Sequence, residues 1–191
     1  MTRATPRGGQ IEIICGCMFA GKTSELIRRL SAARDVGLRA IAIKHRLDDR
    51  YAAQDLATHD GRKFPGLAVP TPADVERVAA DFDVIGIDEG HFFGAALAAA
   101  AVRLKEQGKR IVIVGLDHNA WGRDYPPFPQ LKPHADRVDV FEAPCANCGA
   151  PAHYSQRVTP IVSGNMVGGV EDYEPRCHAC FEPLPGEPPD D

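Results

Sequence analysis

Residues 16 to 23 read Gly-Cys-Met-Phe-Ala-Gly-Lys-Thr, two glycines with four residues between them and then a lysine and a threonine. That spacing suits a loop whose backbone N–H groups curl around phosphate oxygens. Gly16 and Gly21 let the backbone turn, and Cys17, Met18, Phe19 and Ala20 form the span between them. Lys22 is placed to reach β- and γ-phosphates and Thr23 to put its hydroxyl on Mg²⁺. Ser24 follows on the helix whose N-terminus favours an anion. A second stretch, Val-Ile-Gly-Ile-Asp-Glu at 84 to 89, ends an apolar run in two carboxylates. Asp88 is the natural second holder of Mg²⁺ beside such a cradle. Glu89 has two possible uses. In a nucleic-acid motor with an Asp-Glu-x-His box it activates water, and in a small kinase it takes a proton from a substrate hydroxyl.

Four of the six cysteines stand in two Cys-x-x-Cys pairs, Cys145/Cys148 and Cys177/Cys180, with 28 residues between the pairs. Four thiolates so spaced close a tetrahedral Zn²⁺ site with Zn–S distances of about 2.3 Å. Such a site has no open position, so its role is structural. His178 is adjacent to a ligand and is left out, and His153 is a weaker substitute. Cys15 and Cys17 read as small buried fillers.

The elements that must hold these residues follow from periodicity. Strands are predicted at 10–15, 39–45, 83–88, 109–117 and 137–144, and helices over 22–36, from Thr71-Pro72 onward and over 95–108. Thr71 suits an N-cap and Pro72 the first helical position. Residues 46–70 show no clear period and read as a long loop, either functional or disordered. Nearly continuous apolar strands alternating with helices predict an α/β fold, a parallel sheet with helices on both faces. The boundaries drawn are a flexible arm at 1–9, a P-loop nucleoside-triphosphate-binding domain at 10–143, a zinc-binding unit at 144–182 and a disordered tail at 183–191.

Among 191 residues the formal net charge is −4, which argues against a protein devoted to gripping nucleic-acid backbone. There is no apolar run of 18 residues and no signal-peptide pattern, so the chain reads as cytoplasmic, with neither a membrane nor a nucleic acid as partner.

Taken in order, GCMFAGKTSELIRRL, DDRY with THDG, IDEGHFF, CANCGAPAHYSQR and VGGVEDYEPRCHAC resemble the type II thymidine kinases, from about Ile11 to Cys180. The most specific part is SQR followed by VGGVEDYEPRCHAC. The resemblance implies a RecA-like parallel sheet with a small zinc-bound lasso subdomain, and phosphorylation of thymidine at its 5′-hydroxyl by ATP with Mg²⁺. It implies Glu89 as general base and Arg50 offsetting charge on the transferred phosphoryl group, with Asp48 nearby. It puts Met18 and Phe93 beside the nucleoside and Tyr173 on the sugar. The lasso, about Val158 to Tyr173, closes over the base through Val162, Val167, Gly168 and Gly169. A homotetramer and feedback inhibition by thymidine triphosphate come with the same resemblance.

Four departures concern the nucleoside pocket. His91 stands where the family has Gln or Asn, Ala120 where a stacking ring is expected, and Asp124-Tyr125 where Pro-Phe is usual. Trp121 is the candidate to take over stacking. The alternatives are a kinase with another pyrimidine preference, an Asp-Glu-x-His ATPase acting on nucleic acid, and a non-catalytic zinc module. A motor needs two RecA-like domains, and the segment between the cysteine pairs is too poor in basic residues for a nucleic-acid module.

Overall fold

Seven strands and four helices carry the site, and the computed structural model describes residues 8–47, 55–57, 61, 63–160 and 170–186. In chain order they are β1 (Gln10–Gly16), α1 (Lys22–Asp35), β2 (Ala40–His45), β3 (Asp55–Ala57), β4 (Lys63–Val69), α2 (Pro72–Ala79), β5 (Val84–Asp88), α3 (Ala96–Glu106), β6 (Arg110–Val114), α4 (Phe128–Leu131) and β7 (Arg137–Phe141). The sheet order is β3-β4-β2-β5-β6-β1-β7. Six of these strands run parallel, and β3 pairs antiparallel with β4 at one edge. The parallel sheet expected from the apolar runs is therefore present.

Alternation along each strand sorts the core into two layers. Ile11, Ile13 and Cys15 of β1 pack with Val75 of α2, Leu97 and Leu104 of α3 and Phe128 of α4 on one face. Ile14 packs with Leu26, Ile27 and Leu30 of α1 on the other. Gly86 lets α1 press on β5, because a Cβ there would sit 2.7 Å from Leu30 Cδ1. Thr71 caps α2 as expected, its Oγ1 accepting from the Asp74 N–H at 3.2 Å with Pro72 opening the helix.

Residues 46–70 do not form one loop. They contain β3 and β4, and β4 pairs with β2 from Ala42↔Gly66 to His45↔Val69. Pro65 and Gly66 hide the strand's period, since the exposed Pro65 reads as a strand breaker and Gly66 has no side chain for either face.

A charged group lies inside the α1 layer. Arg29, 5% exposed, donates to Glu12 on β1 at 2.6 Å, to Glu25 at 2.8 Å and to Asp139 on β7 at 2.6 Å. Arg110 on β6 also donates to Glu12 at 2.6 Å. Burial pushes the Glu12 carboxyl up, but Arg110 and Arg29 outweigh it and hold it below the usual carboxylate range. One guanidinium thus ties α1 to both β1 and β7.

Beyond the sheet, β8 (Ala143–Pro144) pairs with β9 (Pro151–Ala152), and β10 (Tyr154–Arg157) pairs antiparallel with β11 (Tyr173–Arg176). Leu184 and Pro185, in the segment expected as a disordered tail, meet residues 120 and 121. The Leu184 N–H donates to Ala120 O at 3.0 Å and the Trp121 indole N–H to Pro185 O at 3.3 Å. Among the described residues no helix is long and apolar enough to cross a membrane.

Candidate active site

The cradle begins where β1 stops. Gly16 has φ 126°, and a Cβ there would collide with the Phe141 carbonyl oxygen of β7. This glycine is required by the neighbouring strand as well as by the loop. Gly21, at φ 79°, faces open space and forms the left-handed N-cap of α1. Phe19 between them is also left-handed, at φ 64°, and is 46% exposed.

Lys22, the first residue of α1, is 8% exposed, and its Nζ donates to Cys17 O at 2.5 Å. Burial pushes its ammonium down, opposed by the carboxylates of Glu89, Asp88 and Asp117. Those three acids therefore favour the charged form of the cradle lysine. Thr23, one residue on, aims its hydroxyl at both Asp88 oxygens, 3.4 and 3.3 Å away. Thr23 and Asp88, both expected to hold Mg²⁺, thus meet across 65 residues of chain.

Glu89 follows Asp88 with φ 48° and ψ 47°, a left-handed conformation uncommon for a residue with a side chain. It turns the chain from β5 into the 3-10 turn Gly90–Phe93. His91 in that turn is buried, with Nδ1 3.6 Å from Glu89 Oε2. The same Nδ1 accepts from the Leu116 N–H at 3.3 Å, which assigns the neutral ring's proton to Nε2. The contact with Glu89 is then a close approach rather than a hydrogen bond. The His91 ring also lies 5.0 Å from that of Tyr125. Two of the positions that set this chain apart from the family pattern therefore pack on one another.

Two residues that sequence reading passed over belong to this region. Asp117, 5% exposed just past β6, is contacted by Lys132 at 3.2 Å and His118 at 3.4 Å. Burial pushes its carboxyl up, and His118 and Lys132 overcome that to leave it low. Its signal was available, since RIVIVGLD ends an apolar run in Asp just as VIGID does. Ser155 on β10, 4% exposed, accepts the Met18 N–H at 2.9 Å. That cradle amide is thus directed to the cysteine-rich unit and not into the loop. No local pattern announces such a bond. The Cys17 thiol donates to Ala152 O at 3.1 Å, and Cys15 and Cys17 are both buried.

Cys145, Cys148, Cys177 and Cys180 converge, with all four sulfur atoms within 4.8 Å of one another. Cys148 Sγ is 3.6 Å from Cys177 Sγ and 3.7 Å from Cys180 Sγ. A tetrahedron with Zn–S bonds of about 2.3 Å has edges of about 3.8 Å, so the donor set fits Zn²⁺. Neither His153 nor His178 joins this cluster among the described residues.

The remaining expectations fare differently. Phe93 is buried in the core, its ring edge-on to His45 at 4.7 Å. Trp121 is drawn towards Pro185 by its indole N–H. Tyr173 is half-buried, its hydroxyl accepting from Arg157 at 3.1 Å and its ring 5.4 Å from that guanidinium. Asp48, Arg50, Val162, Val167, Gly168 and Gly169 lie outside the described residues.

A glycine cradle ending β1, its lysine and threonine opening α1, and an acid on β5 with β6 between the two strands define a RecA-like P-loop protein. The family model for thymidine kinase matches residues 9–181. A thymidine kinase of Rhodothermus sp. (strain ITI 518) is 42% identical over 175 residues, covering 92% of this chain and 82% of that protein. Those of Roseiflexus sp. (strain RS-1) and Bacteroides thetaiotaomicron are 39% and 37% identical, covering 96% and 92% of their own lengths. The chain belongs to the thymidine kinase family.

Proposed function

We propose that this chain transfers the γ-phosphoryl group of ATP to the 5′-hydroxyl of thymidine, releasing ADP and thymidine 5′-monophosphate. The observation that carries this reading is the convergence of Lys22, Thr23, Asp88 and Glu89 at the ends of β1 and β5. In the transfer a bond forms between the 5′-oxygen and the γ-phosphorus, and the bond from that phosphorus to the β–γ bridging oxygen breaks. Glu89 takes the proton that leaves the 5′-hydroxyl. Lys22 leaves Cys17 O for the phosphate oxygens and holds them as charge shifts to the bridge.

Thr23 and Asp88 would hold Mg²⁺, which neutralises charge on the β- and γ-oxygens when bound. Arg50 and Asp48 serve the reacting phosphate and 5′-oxygen in this reading. The four cysteines would hold Zn²⁺ as a closed structural site that pins the lasso ends. Met18 and Tyr173, with Val162, Val167, Gly168 and Gly169, face the nucleoside. Phe93 supports that pocket from the core, and Trp121 is at its edge. A homotetramer, inhibition by thymidine triphosphate and a cytoplasmic location complete the proposal. Exposed Val138 and Val140 on the edge strand β7 support contact with a second copy.

The test is phosphate transfer from ATP·Mg²⁺ to a nucleoside panel, with Glu89→Gln beside the wild type. Thymidine is expected to be the best acceptor and Glu89→Gln to lose roughly 10³-fold in kcat. Preference for another nucleoside would remove the substrate assignment, and an undiminished Glu89→Gln would remove the base.

A further inference from the structure

Of the amides in the span from Gly16 to Gly21, one is already committed elsewhere. The Met18 N–H is bound to Ser155 Oγ at 2.9 Å, and Ser155 is 4% exposed, so water competes little for the bond. One residue earlier the Cys17 thiol reaches Ala152 O at 3.1 Å. Cys17 and Ala152 share one buried cluster with Cys145 and Cys177, two of the four converging cysteines. Both hydrogen-bond partners lie more than a hundred residues away along the chain, on the cysteine-rich unit.

The same strand leads towards the nucleoside side. Ser155 pairs with Pro175 in the β10–β11 ladder, and two residues on Arg157 pairs with Tyr173. Arg157 also donates to the Tyr173 hydroxyl at 3.1 Å. A short path of hydrogen bonds and strand pairing therefore runs from the cradle backbone through Ser155 and β10 to Tyr173.

We propose that Ser155 is a positioning residue whose hydroxyl, by holding the Met18 amide, couples the nucleotide cradle to the nucleoside side, so that occupancy of either site tightens the other. The proposal rests on the kinase reading above. Ser155 touches neither reacting atom in it. Nucleoside held at Tyr173 steadies β10, β10 steadies the cradle, and the effect runs equally in the other direction because linkage is reciprocal.

The experiment is calorimetric titration of ADP·Mg²⁺ in the absence and presence of saturating thymidine, on wild type, Ser155→Ala and Ser155→Thr. In the wild type thymidine should tighten ADP binding by about fivefold or more, and ADP should tighten thymidine binding by the same factor. In Ser155→Ala the factor should fall towards one, and Ser155→Thr, which keeps the hydroxyl, should restore it. A factor of one in the wild type, or an undiminished factor in Ser155→Ala, overturns the coupling role. So does a Ser155→Thr that couples no better than the alanine variant, since packing would then be responsible. A wild type that binds ADP·Mg²⁺ but no nucleoside overturns the kinase reading along with it, which separates the two failures.

Discussion

Glu89 combines a proposed chemical role with a backbone conformation that opposes folding. At φ 48° its Cβ crowds the neighbouring carbonyl, which costs about 1 kcal/mol or more relative to glycine. Glu89→Gly should therefore raise the thermal unfolding midpoint by roughly 2–4 °C while abolishing phosphoryl transfer. A calorimetric scan beside a turnover assay would show it, and a lowered midpoint would mean the side chain's own contacts outweigh the strain. Lys22 presents a related conflict, since burial disfavours its charge and it rests on Cys17 O at 2.5 Å until phosphate competes. These residues were legible in the sequence because each motif is local: the cradle spacing names Lys22 and Thr23, and the end of an apolar run names Asp88 and Glu89. Ser155 was not legible, because its partner Met18 is 137 positions away. His91 and Tyr125 stood out only as departures from a pattern, and their mutual packing appears only once the chain is folded.

The strands β1, β2, β5 and β6 could be read from sequence because burial on both faces leaves them nearly continuous in apolar residues. β4 could not, being interrupted by Pro65 and Gly66, and β3 has only three residues. Helix α1 follows its apolar spacing, yet the charge buried beneath it leaves no trace in that spacing. Arg29→Met leaves Glu12, Asp139 and Glu25 facing one another without their shared cation. That should destabilise the chain by about 3 kcal/mol, read as a lowered urea midpoint at neutral pH. An unchanged midpoint would show that the acids find other partners. The same cluster sets a pH dependence. Arg28 foremost, with Arg29, holds Glu25 down to about 2, and Arg137 and Arg29 lower Asp139. Carboxyls lowered by folding stabilise above their unfolded values and cease to do so as pH falls through their folded ones. Stability should therefore decline between about pH 4.5 and 2, and less steeply in Arg29→Met. Urea midpoints at several acidic pH values would decide this, and parallel curves for the two proteins would refute it.

Two Cys-x-x-Cys pairs announced a unit built around four converging cysteines, but nothing in them announced that it would seat against the phosphate cradle. That seat is built from Cys17, Ala143, Cys145, Ala152 and Cys177. Stripping the metal with a strong chelator, or replacing Cys148 with serine, should thus impair nucleotide binding as well as nucleoside phosphorylation. The far-UV dichroism of the parallel sheet should largely persist. Zinc analysis paired with ADP titration tests this, and ADP affinity unchanged in the stripped protein would count against it. One feature of the sheet also bears on how the chain is made. β1 lies between β6 and β7, so Gln10 waits for Arg110, and Glu12 for Arg137, before either finds its neighbour. A ribosome adding about 5–20 residues per second takes on the order of 5–20 s to deliver the first of those partners. During that interval Gln-Ile-Glu-Ile-Ile-Cys-Gly is an apolar strand with both edges bare. Among the described strands of the sheet, the segment that ends in the phosphate cradle is thus the one that waits longest for a neighbour during synthesis.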